Sequence, residues 1–108
     1  MNIKNLMLGN ITLQDLLNYY NATIIYESWL YKDVRGFVDY YKGYYFIYIN
    51  SNMSYYKKKK TILHELAHIE LNQPCQVNND LFAFYIDEYE DEANKYLQKI
   101  KDILKYKD

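Results

Sequence analysis

The feature that most restricts this chain is where its histidines fall. There are only two in the 108 residues, and both lie in His64-Glu65-Leu66-Ala67-His68. Side chains four residues apart share a face in an α-helix, so a helix through this stretch lets two imidazoles reach one metal ion. Two histidines placed at random are four apart about 2% of the time, and Glu follows the first about 6% of the time. The joint chance is on the order of one in a thousand. The competing reading is a pair of helix histidines that pack or face solvent, and what separates the two is a third ligand.

The rest of the chain supplies a frame for that helix. Thr12 and Asp15 have the spacing of a capping box, and Leu13, Leu16, Leu17 and Tyr20 form an apolar face, which predicts a helix over 13–20 ended by Asn21. Thr23, Ile24, Ile25 and Tyr26 mark a first strand within 22–28. Phe37 to Tyr41 and residues 44–49 flank Lys42-Gly43 and read as a hairpin. Ser54 is placed to cap a helix over about 55–71 that carries the motif, with Pro74 beyond its end. After a polar stretch over 73–80, a second long helix is expected from about Leu81, with Tyr89, Ala93, Tyr96, Leu97, Ile100 and Leu104 at helical spacing. The order predicts one α+β domain over 1–108, a three-stranded antiparallel sheet packed against the motif helix and a C-terminal helix. Half the residues are hydrophobic, with Gly 3 and Pro 1, as a packed domain requires.

The third ligand must come from a carboxylate, and the second long helix offers Glu90-Asp91-Glu92-Ala93-Asn94. Glu90 and Asn94 are i and i+4, so a ligating Glu90 places Asn94 where it can orient a metal-bound imidazole. Glu92 points about 200° away from Glu90 around the helix, so only one of the two can face the ion. Glu90 borders the apolar stripe more closely, which favours it, with Glu92 as the alternative ligand. Acidic residues near a helix start are also favourable with no metal at all.

Three segments together carry a family resemblance: Tyr48-Ile49-Asn50 before the motif helix, Lys60-Thr61-Ile62-Leu63-His64-Glu65-Leu66-Ala67-His68 within it, and Glu90-Asp91-Glu92-Ala93-Asn94 after it. Over about residues 44–97 the chain resembles the zincin metallopeptidases, and within them the ImmA/IrrE family of metallo-endopeptidases. The resemblance implies a small zincin-like fold, with Zn2+ held by His64, His68 and Glu90 and Glu65 as general base. It also implies cleavage of a regulatory protein, often a helix-turn-helix transcriptional repressor of a phage or mobile element. Two imidazoles and one carboxylate leave zinc an open position for water, whose proton Glu65 would take and pass to the leaving amine. In zincins the substrate extends along an edge strand above the active-site helix, and residues 44–49 are the candidate strand. The end of the chain departs from the family, being Lys-rich after Tyr96-Leu97. A catalytically silent zinc-stabilised interaction module and a toxin-antitoxin component are the alternatives.

Charge and cysteine content narrow the partners. Lys plus Arg is 13 against Asp plus Glu 14, a net charge of -1, so no overall positive field favours nucleic acid or anionic lipid. No apolar run reaches the roughly 20 residues that span a bilayer, and no signal peptide is recognisable, so the expected compartment is the cytoplasm. The lone Cys75 fits a reducing compartment and reads as a passive residue. Lys57 to Lys60 reads as a solvated face, and Trp29 and Phe82 as core. The 15 tyrosines follow from AT-rich coding and locate no site.

Overall fold

A computed structural model describes residues 1–74, 76–77 and 83–105. Cys75 and Phe82 lie outside the described residues. The chain runs α1 (Ile3–Met7), α2 (Leu13–Tyr20), β1 (Ala22–Glu27), β2 (Gly36–Tyr41), β3 (Tyr44–Asn50), α3 (Tyr55–Glu70), β4 (Gln76–Val77), β5 (Ala83–Phe84) and α4 (Asp87–Lys105). It is a small α+β fold.

Local signals act where the sequence places them. The Thr12 side chain accepts from the Asp15 N–H while the Asp15 carboxylate accepts from the Thr12 N–H, closing the capping box of α2. Asn21 ends that helix in the left-handed region at φ 56°, as its short polar side chain allows. Lys42 and Gly43 both have positive φ, 48° and 89°, the requirement of the two-residue turn whose twist matches a hairpin. Two elements were not foreseen: the short α1, capped by the Asn2 side chain, and the β4–β5 ribbon. The ribbon delays the last helix to Asp87 rather than about Leu81.

The sheet corrects two expectations. Its order is β1-β3-β2, with β2 and β3 antiparallel but β1 parallel to β3, from Ala22↔Tyr45 to Glu27↔Asn50. The sheet is therefore mixed, not antiparallel throughout. The chain leaves β1, crosses the end of the sheet through residues 28–35, and returns as β2 on the far side, so the hairpin folds β3 into the centre. Residues 44–49 are thus not an edge strand; the edges of this sheet are β1 and β2. Asn50, only 3% exposed, explains how the crossover is held. Its side-chain amide donates to the carbonyls of Tyr31 (3.3 Å) and Val34 (2.9 Å), and its own N–H donates to the Arg35 carbonyl at 2.9 Å.

One face of the sheet packs against the helices through Val38, Ile47 and Ile49, which meet Ile62, Leu66, Ala67 and Ile69 of α3 and Ala93, Leu97 and Ile100 of α4. On the other face Phe37 stacks on Tyr48, with ring centroids 4.7 Å apart, beside Leu30 and Val34. Trp29 is not core: it is 60% exposed, because the crossover turns it outward while Leu30 takes the buried place. No helix among the described residues is long and apolar enough to cross a membrane.

Candidate metal centre

The centre begins with how α3 is started and stopped. The Ser54 hydroxyl accepts from the Lys57 N–H at 3.3 Å, capping the helix despite four lysines in its first turns, where the helix dipole disfavours them. At the other end Asn72 turns left-handed at φ 54°. Its N–H donates to Ile69 and that of Gln73 donates to His68, the pair of bonds that defines a Schellman cap. That cap folds Gln73 back over the last turn, beside His68.

His64 and His68 project from one face of α3, with their Nε2 atoms 3.1 Å apart. Glu90, in the first turn of α4, reaches between them: Oε2 lies 2.7 Å from His64 Nε2 and Oε1 lies 3.1 Å from His68 Nε2. One ligand atom from each of the three residues falls within 4.8 Å of the others. A tetrahedral zinc site with ordinary bond lengths separates its donors by about 3.3 Å; the two 3.1 Å spacings are close to that, and the 2.7 Å contact between His64 and Glu90 would have to open by about half an ångström. Two imidazoles, a carboxylate and an adjacent unpartnered buried carboxylate oxygen make a donor set into which such an ion fits. Glu92, the alternative ligand, is not in this group.

Glu92 acts one step further out. Its Oε2 accepts from the Gln73 side-chain amide at 2.8 Å, and Gln73 Oε1 lies 2.7 Å from His68 Nδ1. A carboxylate only accepts, so Gln73 must turn its N–H towards Glu92 and its carbonyl oxygen towards the imidazole. His68 Nδ1 then carries a proton, which leaves Nε2 as the nitrogen that would give its lone pair to an ion and that, with none bound, faces the Glu90 carboxylate. Tyr85, itself buried, stacks on the same imidazole with centroids 3.6 Å apart and rings 5° from parallel. Neither Gln73 nor Tyr85 was singled out in the sequence. The Asn72-Gln73 cap was the available signal for the first; nothing local marks the second. On the other imidazole, Asn94 stands one turn along α4 from Glu90 and lines the same cavity as His64, and its polar side chain adds to the upward shift of the His64 pKa.

The charges respond to this crowding. The hydrogen bond that His64 donates to Glu90 raises the His64 pKa against the opposing effect of burial, with help from the charges of Glu65 and Glu90 and from the polar side chain of Asn94. Burial pushes the Glu90 carboxyl up, but hydrogen bonds and charge from both imidazoles outweigh it and hold its pKa at about 2. Glu65 is 5% exposed, and its Oε2 has no hydrogen-bond partner among the described residues. Burial drives its pKa up to about 7, against the pull of His64 and His68. It lines a cavity of about 620 Å³ that also contains His64, Glu90 and Asn94.

A helix bearing two imidazoles around a buried carboxylate, completed by a carboxylate from a second helix, is the donor arrangement of a metallopeptidase-type centre. Residues 17–96 match the peptidase M78 family, the IrrE N-terminal-like domain, and the chain belongs to that family. No curated protein and no solved structure matches it.

Proposed function

We infer that the chain is a zinc-dependent endopeptidase that cuts a peptide bond in a regulatory protein. The observation that carries this reading is the convergence of His64, His68 and Glu90 beside a buried, unpartnered Glu65 inside an open cleft. His64, His68 and Glu90 would hold the ion, which supplies Lewis acidity towards a peptide carbonyl and makes water more acidic. Glu65 takes the proton of the attacking water and delivers it to the leaving amine. Its pKa of about 7 without an ion suits both transfers near neutral pH, and a cation alongside favours the carboxylate form that acts first. Gln73 and Glu92 keep the His68 lone pair directed at the ion, and Asn94 steadies His64. The resemblance to the ImmA/IrrE proteases favours a helix-turn-helix repressor as substrate and a cytoplasmic setting.

The test starts with metal stoichiometry on untagged wild type, His68→Ala and Glu90→Ala. Near one zinc per wild-type chain, lost in both variants, is the expected result; no metal even after zinc addition sinks the reading. Cleavage of a repressor substrate by the zinc-loaded wild type, abolished in Glu65→Gln with metal retained, then separates hydrolysis from a zinc-stabilised binding module.

A further inference from the structure

The cleft extends well past the metal centre, and its outer walls are basic. From the crossover it takes Asp33 and Arg35, from α3 Lys60, and from α4 Lys101. Among the described residues none of these four makes an ion pair, so at the outer cleft three exposed cations stand against Asp33 alone, while the other two carboxylates of the lining, Glu65 and Glu90, lie at the metal centre. The chain as a whole is close to neutral, which makes this excess local.

The four-lysine run is divided by the fold. Lys58 lies over the Tyr26 ring at 5.9 Å and Lys59 over Tyr55 at 5.3 Å, while Lys60 alone of the run borders the cavity. It sits one turn before His64 on the same helix face, about 6 Å along the axis. Lys101 lies three turns past Glu90 on the face that also carries Asn94 and Leu97, about 16 Å along its axis. Arg35 is presented by the crossover that Asn50 ties to β3.

We propose that Arg35, Lys60 and Lys101 form an acidic-side-chain subsite, so that the preferred peptide carries Asp or Glu about two to five residues from the bond to be cut. The spacing follows from the two axial distances and about 3.3 Å per residue of extended chain. The proposal rests on the peptidase reading for the position of the scissile bond, but not for the charge preference. Partly exposed ion pairs are each worth little, so three together give a preference of about ten-fold at low salt, shrinking as salt screens them.

The experiment is binding, not turnover. Zinc-loaded Glu65→Gln protein is titrated with two dye-labelled dodecapeptide pools that differ only in having Glu or Gln at the positions flanking a fixed central pair, and with a single-stranded oligonucleotide of equal charge. The Glu pool should bind about ten-fold tighter. Adding Lys60→Gln and Lys101→Gln should remove most of that ratio, whereas Lys57→Gln with Lys59→Gln should leave it. Equal binding of the pools, no binding of either, a preference unmoved by the cleft pair, or tighter binding of the oligonucleotide overturns the proposal. If wild type hydrolyses its substrate while the pools bind equally, only the subsite is lost. If the preference maps to Lys60 and Lys101 while wild type binds zinc but cuts nothing, only the catalytic reading is lost.

Discussion

Two carboxylates of α3, five residues and about 140° apart around the helix, are treated in opposite ways. On the side away from the cleft, half-buried Glu70 is surrounded by donors: the Ile3 N–H and the Tyr20 hydroxyl, each at 2.9 Å from Oε1, and the Tyr96 hydroxyl on Oε2. It joins α1, α2, α3 and α4 through one side chain. Facing the cleft, Glu65 is more deeply buried and one of its oxygens has no partner among the described residues. A buried carboxylate with partners is a structural joint, and one without them is unstable in its charged form. The first side of the helix assembles the fold, and the second carries the group to which the proposed function gives the proton transfer.

The sharpest way to break that contrast is Glu65→Gln. With Glu65 as the proposed general base, its removal should lower the rate about 100-fold to 10,000-fold, read as initial cleavage rates at matched zinc occupancy. Without metal the same change should stabilise the chain above neutrality. The folded pKa of about 7 lies above the reference 4.5, so the contribution of neutral Glu65 is intact below about pH 4.5 and is lost as pH rises through about 7. The loss is roughly 3 kcal/mol at pH 8. Urea denaturation of metal-free wild type at pH 5 and pH 8 should show this fall, and Glu65→Gln should lack it.

Glu70→Leu should do the reverse, leaving no proton-transfer defect and costing stability. Three donors lose their acceptor, and the expected destabilisation is about 2–4 kcal/mol, measured by urea denaturation of the zinc-loaded protein. Zinc stoichiometry should stay near wild type under folding conditions. Loss of metal without loss of stability would mean that Glu70 belongs to the centre and that the two sides of α3 are not separate.

The parts of this arrangement that could be read from the sequence are those set by short spacings. The shared face of the two imidazoles follows from i, i+4 geometry, the place of Glu90 rather than Glu92 beside them from its position by an apolar stripe, and the hairpin from Lys42-Gly43; Glu65 was singled out by the motif and the family resemblance. What escaped depends on residues far apart in the chain. Period-two alternation is the same whether a strand runs parallel or antiparallel, so it could not place β1 beside β3 or reveal that β3 is central. The Glu70 joint needs Ile3, Tyr20 and Tyr96 to converge, and no spacing within 15 tyrosines selects those two. Trp29 was misjudged because hydrophobicity says nothing about which of two neighbours, Trp29 or Leu30, the crossover turns inward.

Gln73 offers a smaller and more specific break, because it acts on the centre without touching the ion. Gln73→Leu removes the acceptor that holds the His68 Nδ1 proton and should weaken zinc binding about 10-fold to 100-fold, measured by competition with a chromophoric chelator. The metal-free chain should lose about 1–3 kcal/mol from the buried His68 Nδ1–H left without an acceptor, but the helix end should persist, since the Schellman cap uses the backbone of residue 73, not its side chain.

Glu92 gives the finest test, since its only described task is to orient that amide. Glu92→Gln keeps an acceptor in place for the Gln73 N–H, so zinc affinity should stay within about three-fold of wild type. Glu92→Lys supplies a donor instead. Gln73 would then turn its carbonyl towards residue 92 and its N–H towards His68 Nδ1, which pushes the imidazole proton onto Nε2, the atom the ion needs. That variant should approach a ten-fold loss. Equal affinities for the Gln and Lys variants would show that Glu92 does not set the tautomer, and would return it to the solvated face that its exposure alone implies.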